Sequence, residues 1–429
     1  MTNHRKDRRH FLKVMGGTTL GLALGVPTAR GQEAEYDGPL LAVFNATGGW
    51  DPTYLMDPKG TPALNRLYSD DQIRQFGAHL VAPTAAHIAE GAMSNETFFE
   101  RHGDRLLVVN GIDVSVNNHA PCSRYIATGE LNSLVYPTLP ALFAAVRRPE
   151  VPLAFLTFGD YSATGNIIAQ TRIPYLSSLD RLGTIGYSDR GRTRRFMHQR
   201  VTDRIRETLA DVSMDPASLP KVGRARNFVH GAQQSSEQLD RLSEFLPEAR
   251  PADHYYQQLE IALTGFRSGL AVSANFKLGN FDSHDTNDVD QMRLIPKYLE
   301  GVDYFVRRAQ ELGLADRLVI IMQSEMGRTP WYNETGGKDH WSVTSMMAMG
   351  AGIRGGRVVG MTSVNPESGF DQSPTLIDPS TLALSQNGTR IRPEHLQQAL
   401  REHLGIAEHP LSARFALKLP PEEHLQGLF

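Results

Sequence analysis

Short apolar runs alternate along this chain with longer stretches of helical period. "PLLAVFNATGGWD" is an apolar run closed by Gly48-Gly49, which predicts a buried strand and a tight turn. "NETFFERHGDRLLVVNGID" predicts a short helix, then a strand over Arg105–Asn110. "YPTLPALFAAVRRP" has the spacing of a helix that Pro149 ends. "PLAFLTFGD" predicts another strand, "HYYQQLEIALTGFRSG" a helix, and "LAVSANFKLGNFD" a strand running into a loop. "DVDQMRLIPKYLEGVDYFVRRAQELG" is a long amphipathic helix with Pro296 in its body and Gly313 as its cap. "DRLVIIMQ" is the clearest strand in the chain, and "SMMAMG" predicts one more. Tyr187 to Glu248 departs from the pattern: it is polar, rich in Arg and helix-forming, and reads as a helical insertion or cap.

Strands that are apolar on both faces and alternate with helices predict an α/β fold. The expected sheet is doubly wound and mostly parallel, with helices on both faces. Ligands of such sheets bind in loops beyond the carboxyl ends of the strands, so the loops are where chemistry is sought.

Composition narrows the chemistry. The formal net charge is −3, without the basic excess of a nucleic-acid binder. Cys122 is the one cysteine, so an intrachain disulfide and a cysteine-rich zinc cluster are both excluded. A metal site here has to use His, Asp and Glu. The amino end reads as a twin-arginine export signal over residues 1–31: Arg8-Arg9, an uncharged stretch from Val14 to Val26, then Ala29-Arg30-Gly31 before Gln32. That predicts a periplasmic or secreted protein, with the export machinery as a partner. Residues 32–429 are then one α/β domain. No later segment reads as a stable membrane span.

Four loop clusters carry candidate chemistry. The first, "TGGWD", holds Asp51. The second, "NNHAPCSRYIATGE", holds His119, Cys122, Ser123 and Arg124. Read alone, His119 beside a turn is structural and Cys122 a small buried residue. The third, "NFDSHDTND", is the densest: Asp282 and His284 stand two apart, so on an extended segment both reach one ion. Mixed nitrogen and oxygen ligation suits zinc, manganese or iron better than a calcium cage. Asp288 reads as the N-cap of the helix that follows. The fourth, "SEMGRTPWYNETGGKDHW", puts Glu325 at the end of a strand, with Arg328, Asn333 and the pair Asp339-His340 behind it. Arg328 offers a planar fork for an oxyanion, or for an ion pair with Glu325 or Asp339. Gly336-Gly337 lets the backbone approach another group closely. His79, His87, His102, His198, His230 and His254 lie in polar, helix-like surroundings and read as surface residues.

The ordered set "GGWD", "NHAPCSRYIATGE", "NFDSHD", "SEMGRTPWYNETGGKDHW" and "GAGIRGGRVVG" resembles the bacterial domain-of-unknown-function 1501 family of exported, sulfatase-like proteins. That family is similar in turn to the alkaline phosphatase and sulfatase superfamily. The resemblance implies an alkaline-phosphatase-like fold with one or two divalent ions, zinc first, then manganese or calcium. It implies Asp282, His284, Glu325, Asp339, His340 and Asp51 as ligands, with Glu325 standing where the superfamily has an Asp-His pair. Arg328 would stabilise the equatorial oxygens of a phosphate or sulfate ester on a small molecule or glycan. Counting back from Thr128-Gly129 and Pro121, the superfamily's nucleophile position falls on His119, which would be a further ligand or a general acid. The covalent intermediate then has no carrier unless Ser123 or Cys122 substitutes. A non-catalytic exported binding protein on the same fold is the competing expectation.

Overall fold

The computed structural model describes residues 36–151, 153–183, 187–189, 192–194, 204, 207 and 240–429. The expected export signal lies outside them, as does most of the expected insertion. Within the described part of that stretch, Tyr187–Asp189 pairs antiparallel with Arg192–Arg194, and Asp240–Phe245 is a 3-10 helix. Among the described residues no helix is long and apolar enough to cross a membrane.

The elements that position the site are, in chain order, β1 (Leu40–Ala46), α1 (Asn95–His102), β2 (Leu107–Asp113), α2 (His119–Thr128), α3 (Leu139–Arg147), β3 (Phe155–Thr157), β4 (Gln170–Thr171), α4 (His254–Arg267), β5 (Ser273–Leu278), α5 (Asn287–Glu311), β6 (Leu318–Gln323), β7 (Gly327–Arg328), β8 (His340–Trp341), β9 (Val343–Gly350), β10 (Arg357–Val359), β11 (Thr362–Val364) and β12 (Gln372–Pro374). One sheet of eight strands runs in the order β10-β2-β9-β6-β1-β5-β3-β4. Strand β9 is antiparallel to both its neighbours, and every other pairing is parallel. The fold is therefore α/β with a mostly parallel sheet. The predicted strand at "SMMAMG" is present, but it runs against the rest.

Side-chain alternation along the strands divides the two faces. Phe44 of β1 and Phe276 of β5 pack with ring centres 4.7 Å apart and both meet Phe305 of α5 at 5.4 Å. Neighbouring Asn45 and Asn275 turn to the other face and bond each other at 2.7 Å. Ser273 Oγ, on that second face, donates to Pro140 O of α3 at 2.8 Å. Helices thus cover both sides, and β1, β5 and β6 are buried almost throughout. This is why they read as continuous apolar runs.

Two histidines expected at the surface are buried. His79 is 1% exposed and bonds Gly103 O, and His102 meets Asp303 Oδ1 of α5 at 3.0 Å. Neither contact is visible in local polarity, because each partner comes from a distant segment. His87 and His254 are exposed as expected, and His198 and His230 lie outside the described residues. Burial lowers the pKa of both buried rings; in His102 it outweighs the opposing pull of Asp303. Burial also pushes the Asp303 carboxyl up, but Arg307 and His102 more than reverse this and hold it low.

An unfolded histidine takes its proton near pH 6.5 while these folded rings refuse it, so stability falls as pH drops through about 6.5. The loss continues until the folded rings protonate. Asp303 contributes stability above the ordinary carboxylate range and loses it only as pH falls below that range. Urea unfolding between about pH 7 and pH 5 is expected to show stability falling by up to about 1.4 kcal/mol per pH unit for each such ring. His102→Gln should flatten that slope. An unchanged slope would remove His102 from the account.

Candidate metal centre

The loops beyond the carboxyl ends of β1, β5 and β6 converge. Gly48, with φ +117°, lets the β1 loop lie against the β5 loop; a Cβ there would stand 2.5 Å from the Asp282 nitrogen. Gly337 does the same for the segment before β8, where a Cβ would stand 1.8 Å from His284 O. Asn333 Nδ2 donates to His284 O at 2.7 Å, and the Lys338 N–H to Ser283 O at 3.1 Å. These bonds tie "NFDSHD" to "GGKDH".

The result is a triangle. Asp282 Oδ1 lies 3.0 Å from His284 Nε2 and 3.2 Å from His340 Nε2, and the two nitrogens are 3.1 Å apart. The far side of each ring fixes its proton. His340 Nδ1 lies 2.8 Å from Asn117 O, which can only accept. His284 Nδ1 lies 2.9 Å from Asp339 Oδ1, and that contact lowers the Asp339 pKa and keeps it an acceptor. Both Nδ1 atoms therefore carry the hydrogen, and in the neutral rings both Nε2 atoms turn lone pairs toward the Asp282 oxygen. Three lone-pair atoms at this spacing repel one another unless a metal ion, or a proton on one of the rings, lies among them. Four ligands at about 2.0–2.1 Å around zinc stand about 3.3 Å apart, so the triangle is close to one face of a tetrahedral site. The outer partners Asp339 and Asn117 are of the kind that orient histidine ligands.

His119 stands beside this triangle at the first position of α2, a helix opened by Asn118, whose Oδ1 accepts from Ala120 N. Its Nδ1 meets Glu325 Oε1 at 3.0 Å and its Nε2 meets Asp282 Oδ2 at 3.2 Å. His119, Asp282 and His340 each offer one ligand atom within 4.8 Å of the others. The Glu325 hydrogen bond raises the His119 pKa; burial opposes it and the charges of Glu325 and Asp282 add to it. Burial alone would raise the Asp282 carboxyl. The hydrogen bond and charge of Arg328, with His119 and His340, instead hold it at about 2.

Several expected roles change. Arg328 is 1% exposed and turned inward. It bonds Gly48 O, Gly49 O at 3.0 Å, Lys338 O at 3.2 Å and Asp282 Oδ1 at 2.6 Å. Four of its five N–H donors are engaged by the protein and its side chain is fully buried, so it orients Asp282 and does not face an ester oxygen. Asp51 does not join the cluster: Lys338 Nζ holds it at 2.7 Å, with both side chains buried. Glu325 is 2% exposed, accepts from the Gly48 N–H at 2.8 Å, and lies behind His119 rather than in the triangle. Asp339 is an outer partner of His284. Asp288 caps nothing; Thr286 holds the N-cap position, and Asp288 Oδ1 accepts from the Tyr54 and Tyr332 hydroxyls at 2.7 Å each. Cys122 is fully buried, its Sγ on Val116 O, and burial pushes its thiol up to about 12. It packs in a small core with Val114, Tyr125 and Met326.

Sequence reasoning passed over Lys338, Asn117 and Asp160. Lys338 had a signal: a lone lysine between a glycine pair and Asp-His. Asp160 adopts φ +62° just beyond β3, and its carboxyl accepts from Thr47 Oγ1 at 3.1 Å. Burial and the nearby Glu325 charge raise its pKa. Strained non-glycine backbone of this kind gathers at working sites.

The family model described as "Protein of unknown function (DUF1501)" matches residues 227–383. That span contains the triangle, Glu325, Arg328 and Lys338, but not His119 or Asp51. The resemblance read from the motifs is thereby shown over this part of the chain. No curated protein matches the sequence. Among solved structures the chain is similar to the lipoteichoic acid synthase LtaP of Listeria monocytogenes, at 9% identity and TM-score 0.39, over 87% of this chain and 73% of that one. It is similar to the PsFucS1 sulfatase of Pseudoalteromonas sp. at 11% identity and TM-score 0.39, over 87% and 69%. It is also similar to the phosphonate monoester hydrolase SpPMH of Silicibacter pomeroyi at 10% identity and TM-score 0.31, over 86% and 73%.

Proposed function

We propose that this chain is an exported, metal-dependent hydrolase of phosphate or sulfate esters. One divalent ion, zinc in preference to manganese or calcium, is held by Asp282, His284 and His340. The observation that carries the reading is the triangle of Nε2, Nε2 and Oδ1 at 3.0–3.2 Å, with both Nδ1 protons committed elsewhere. An ion bound there supplies Lewis-acid polarisation of an ester oxygen and a water acidic enough to attack near neutral pH.

The rest falls to the chain's own residues. Arg328 locks Asp282 from behind, while Asp339 and Asn117 lock the two imidazoles. Glu325 fixes the His119 ring through Nδ1 and, by that hydrogen bond, raises its pKa, which favours the protonated ring. From the rim of the triangle, His119 then gives that proton to the departing ester oxygen. The amino end of α2, where His119 sits, turns its partial positive charge toward an anionic ester. Export rests on Arg8-Arg9 and the leader that follows them.

A second reading, a non-catalytic exported binding protein, is supported by the burial of Cys122 and by the motif count that puts His119 at the expected nucleophile position. Elemental analysis of chelator-free protein, followed by aryl phosphate, phosphodiester and sulfate ester assays, separates the two. About one equivalent of metal with turnover of one ester class is the expected result. Metal without turnover of any class selects the binding protein, and less than about half an equivalent of metal removes the hydrolase reading.

A further inference from the structure

Trp331 and Phe370 are two large aromatic residues left exposed near this site, at 39% and 41%. Their rings meet edge to face, 5.8 Å apart at 79°, and form a right-angled corner. Trp331 is tied to the ligand segment: its carbonyl accepts from Thr329 Oγ1 at 2.9 Å, and Thr329 Oγ1 in turn accepts from the Asp339 N–H at 3.0 Å. Phe370 lies in the loop that joins β11 to β12, two residues before β12. That hairpin is fixed by Thr362, whose N–H and hydroxyl both donate to Asp57 Oδ2. The residue before β11, Met361, lies against Gly111 at the carboxyl end of β2. Both rings therefore belong to loops at the same end of the sheet as the metal centre.

The geometry points to a subsite for an uncharged sugar ring of the ester's alcohol portion, with Trp331 and Phe370 as its floor and wall. A sugar with equatorial hydroxyls has a flat face of C–H groups that an aromatic ring covers, while its edge needs hydrogen-bond partners. Glu334, Glu367 and Asp371 flank the two rings in sequence, are exposed, and form no ion pair among the described residues. They accept from hydroxyls and repel an anionic ring, so the charged ester group belongs at the metal and a neutral ring at the corner. A second copy of the chain does not account for the patch. Two partly exposed rings offer about 200 Å², against about 800 Å² per partner in a stable interface.

This inference rests on the ester-hydrolase reading for the identity of the site, but its test does not depend on turnover. Saturation-transfer NMR with cellotriose, a neutral trisaccharide, is measured on the full chain with and without metal. Saturable binding is expected in both forms. Trp331→Ala and Phe370→Ala should each weaken it at least about tenfold, and Trp331→Phe should restore most of it. Unchanged binding in both alanine variants, or no saturable transfer to the parent protein, overturns the subsite. So does preferential occupation of the corner by 4-nitrophenol, which would make it an aryl site. Elemental analysis of the same samples reads the metal centre separately. Metal without cellotriose binding fails the subsite alone, and cellotriose binding without metal fails the hydrolase reading alone.

Discussion

Asp282→Ala is expected to weaken divalent-metal binding at least about 100-fold and to abolish any ester turnover with it. Two effects act together. The substitution removes the oxygen corner of the triangle, leaving His284 and His340 as the two remaining ligands. It also strips the partner from the buried guanidinium of Arg328, whose Nη2 lies 2.6 Å from Oδ1 of the more exposed Asp282. The bare guanidinium then faces the place where a cation must sit, and like charges in a partly dry site repel strongly. Asp282→Asn tests the division: its amide oxygen still accepts from Arg328 but brings no charge, so an intermediate loss is expected. Competition against a chromogenic chelator measures both variants. Retention of near-stoichiometric, tight metal by Asp282→Ala would show that the ion, if bound, sits elsewhere.

The triangle was legible in the sequence because its members follow strands that are themselves legible. Leu318–Gln323 and Ser273–Leu278 read as buried strands, and in an open α/β sheet the loops beyond them are where ligands gather. Asp282, His284 and His340 needed only that placement. The rest depended on side-chain direction and long-range pairing, which local pattern does not carry. A loop arginine beside a carboxylate reads as a substrate clamp until its exposure is known; at 1% exposure Arg328 is a brace for Asp282. Asp51 reads as a ligand because it follows the first strand and a glycine pair, yet its partner Lys338 comes 287 positions later. The start of α2 had a local signal, Asn118 with Pro121 in the first turn, but the nearby cysteine and histidine drew the reading toward chemistry instead of helix capping. Strand β9 was visible as a strand, while its antiparallel direction follows only from its pairing with β6 and β2.

Lys338→Met is expected to destabilise the fold by about 3–5 kcal/mol, the other large effect. Lys338 and Asp51 are paired at 2.7 Å with side-chain exposures of 0% and 1%. The ammonium also donates to Leu64 O and lies 5.3 Å and 5.0 Å from the Tyr54 and Tyr332 ring centres. Removing it leaves a buried carboxylate supported only by Asn287 Nδ2 at 3.1 Å and by Thr53. An uncompensated buried charge costs far more than the pair gains over apolar residues of equal size. The double variant Lys338→Met with Asp51→Asn should therefore recover most of the loss, although it removes more charge than the single one. Metal affinity gives an independent reading. The Lys338 backbone N–H and C=O, which bond Ser283 and Arg328, survive the substitution, so at temperatures where the variant is folded its metal affinity should fall by less than about tenfold. Urea midpoints of the parent, both single variants and the double variant complete the cycle. A loss below about 1 kcal/mol for Lys338→Met, or a double variant no more stable than Lys338→Met alone, would mean that Asp51 does not need Lys338 to stay buried.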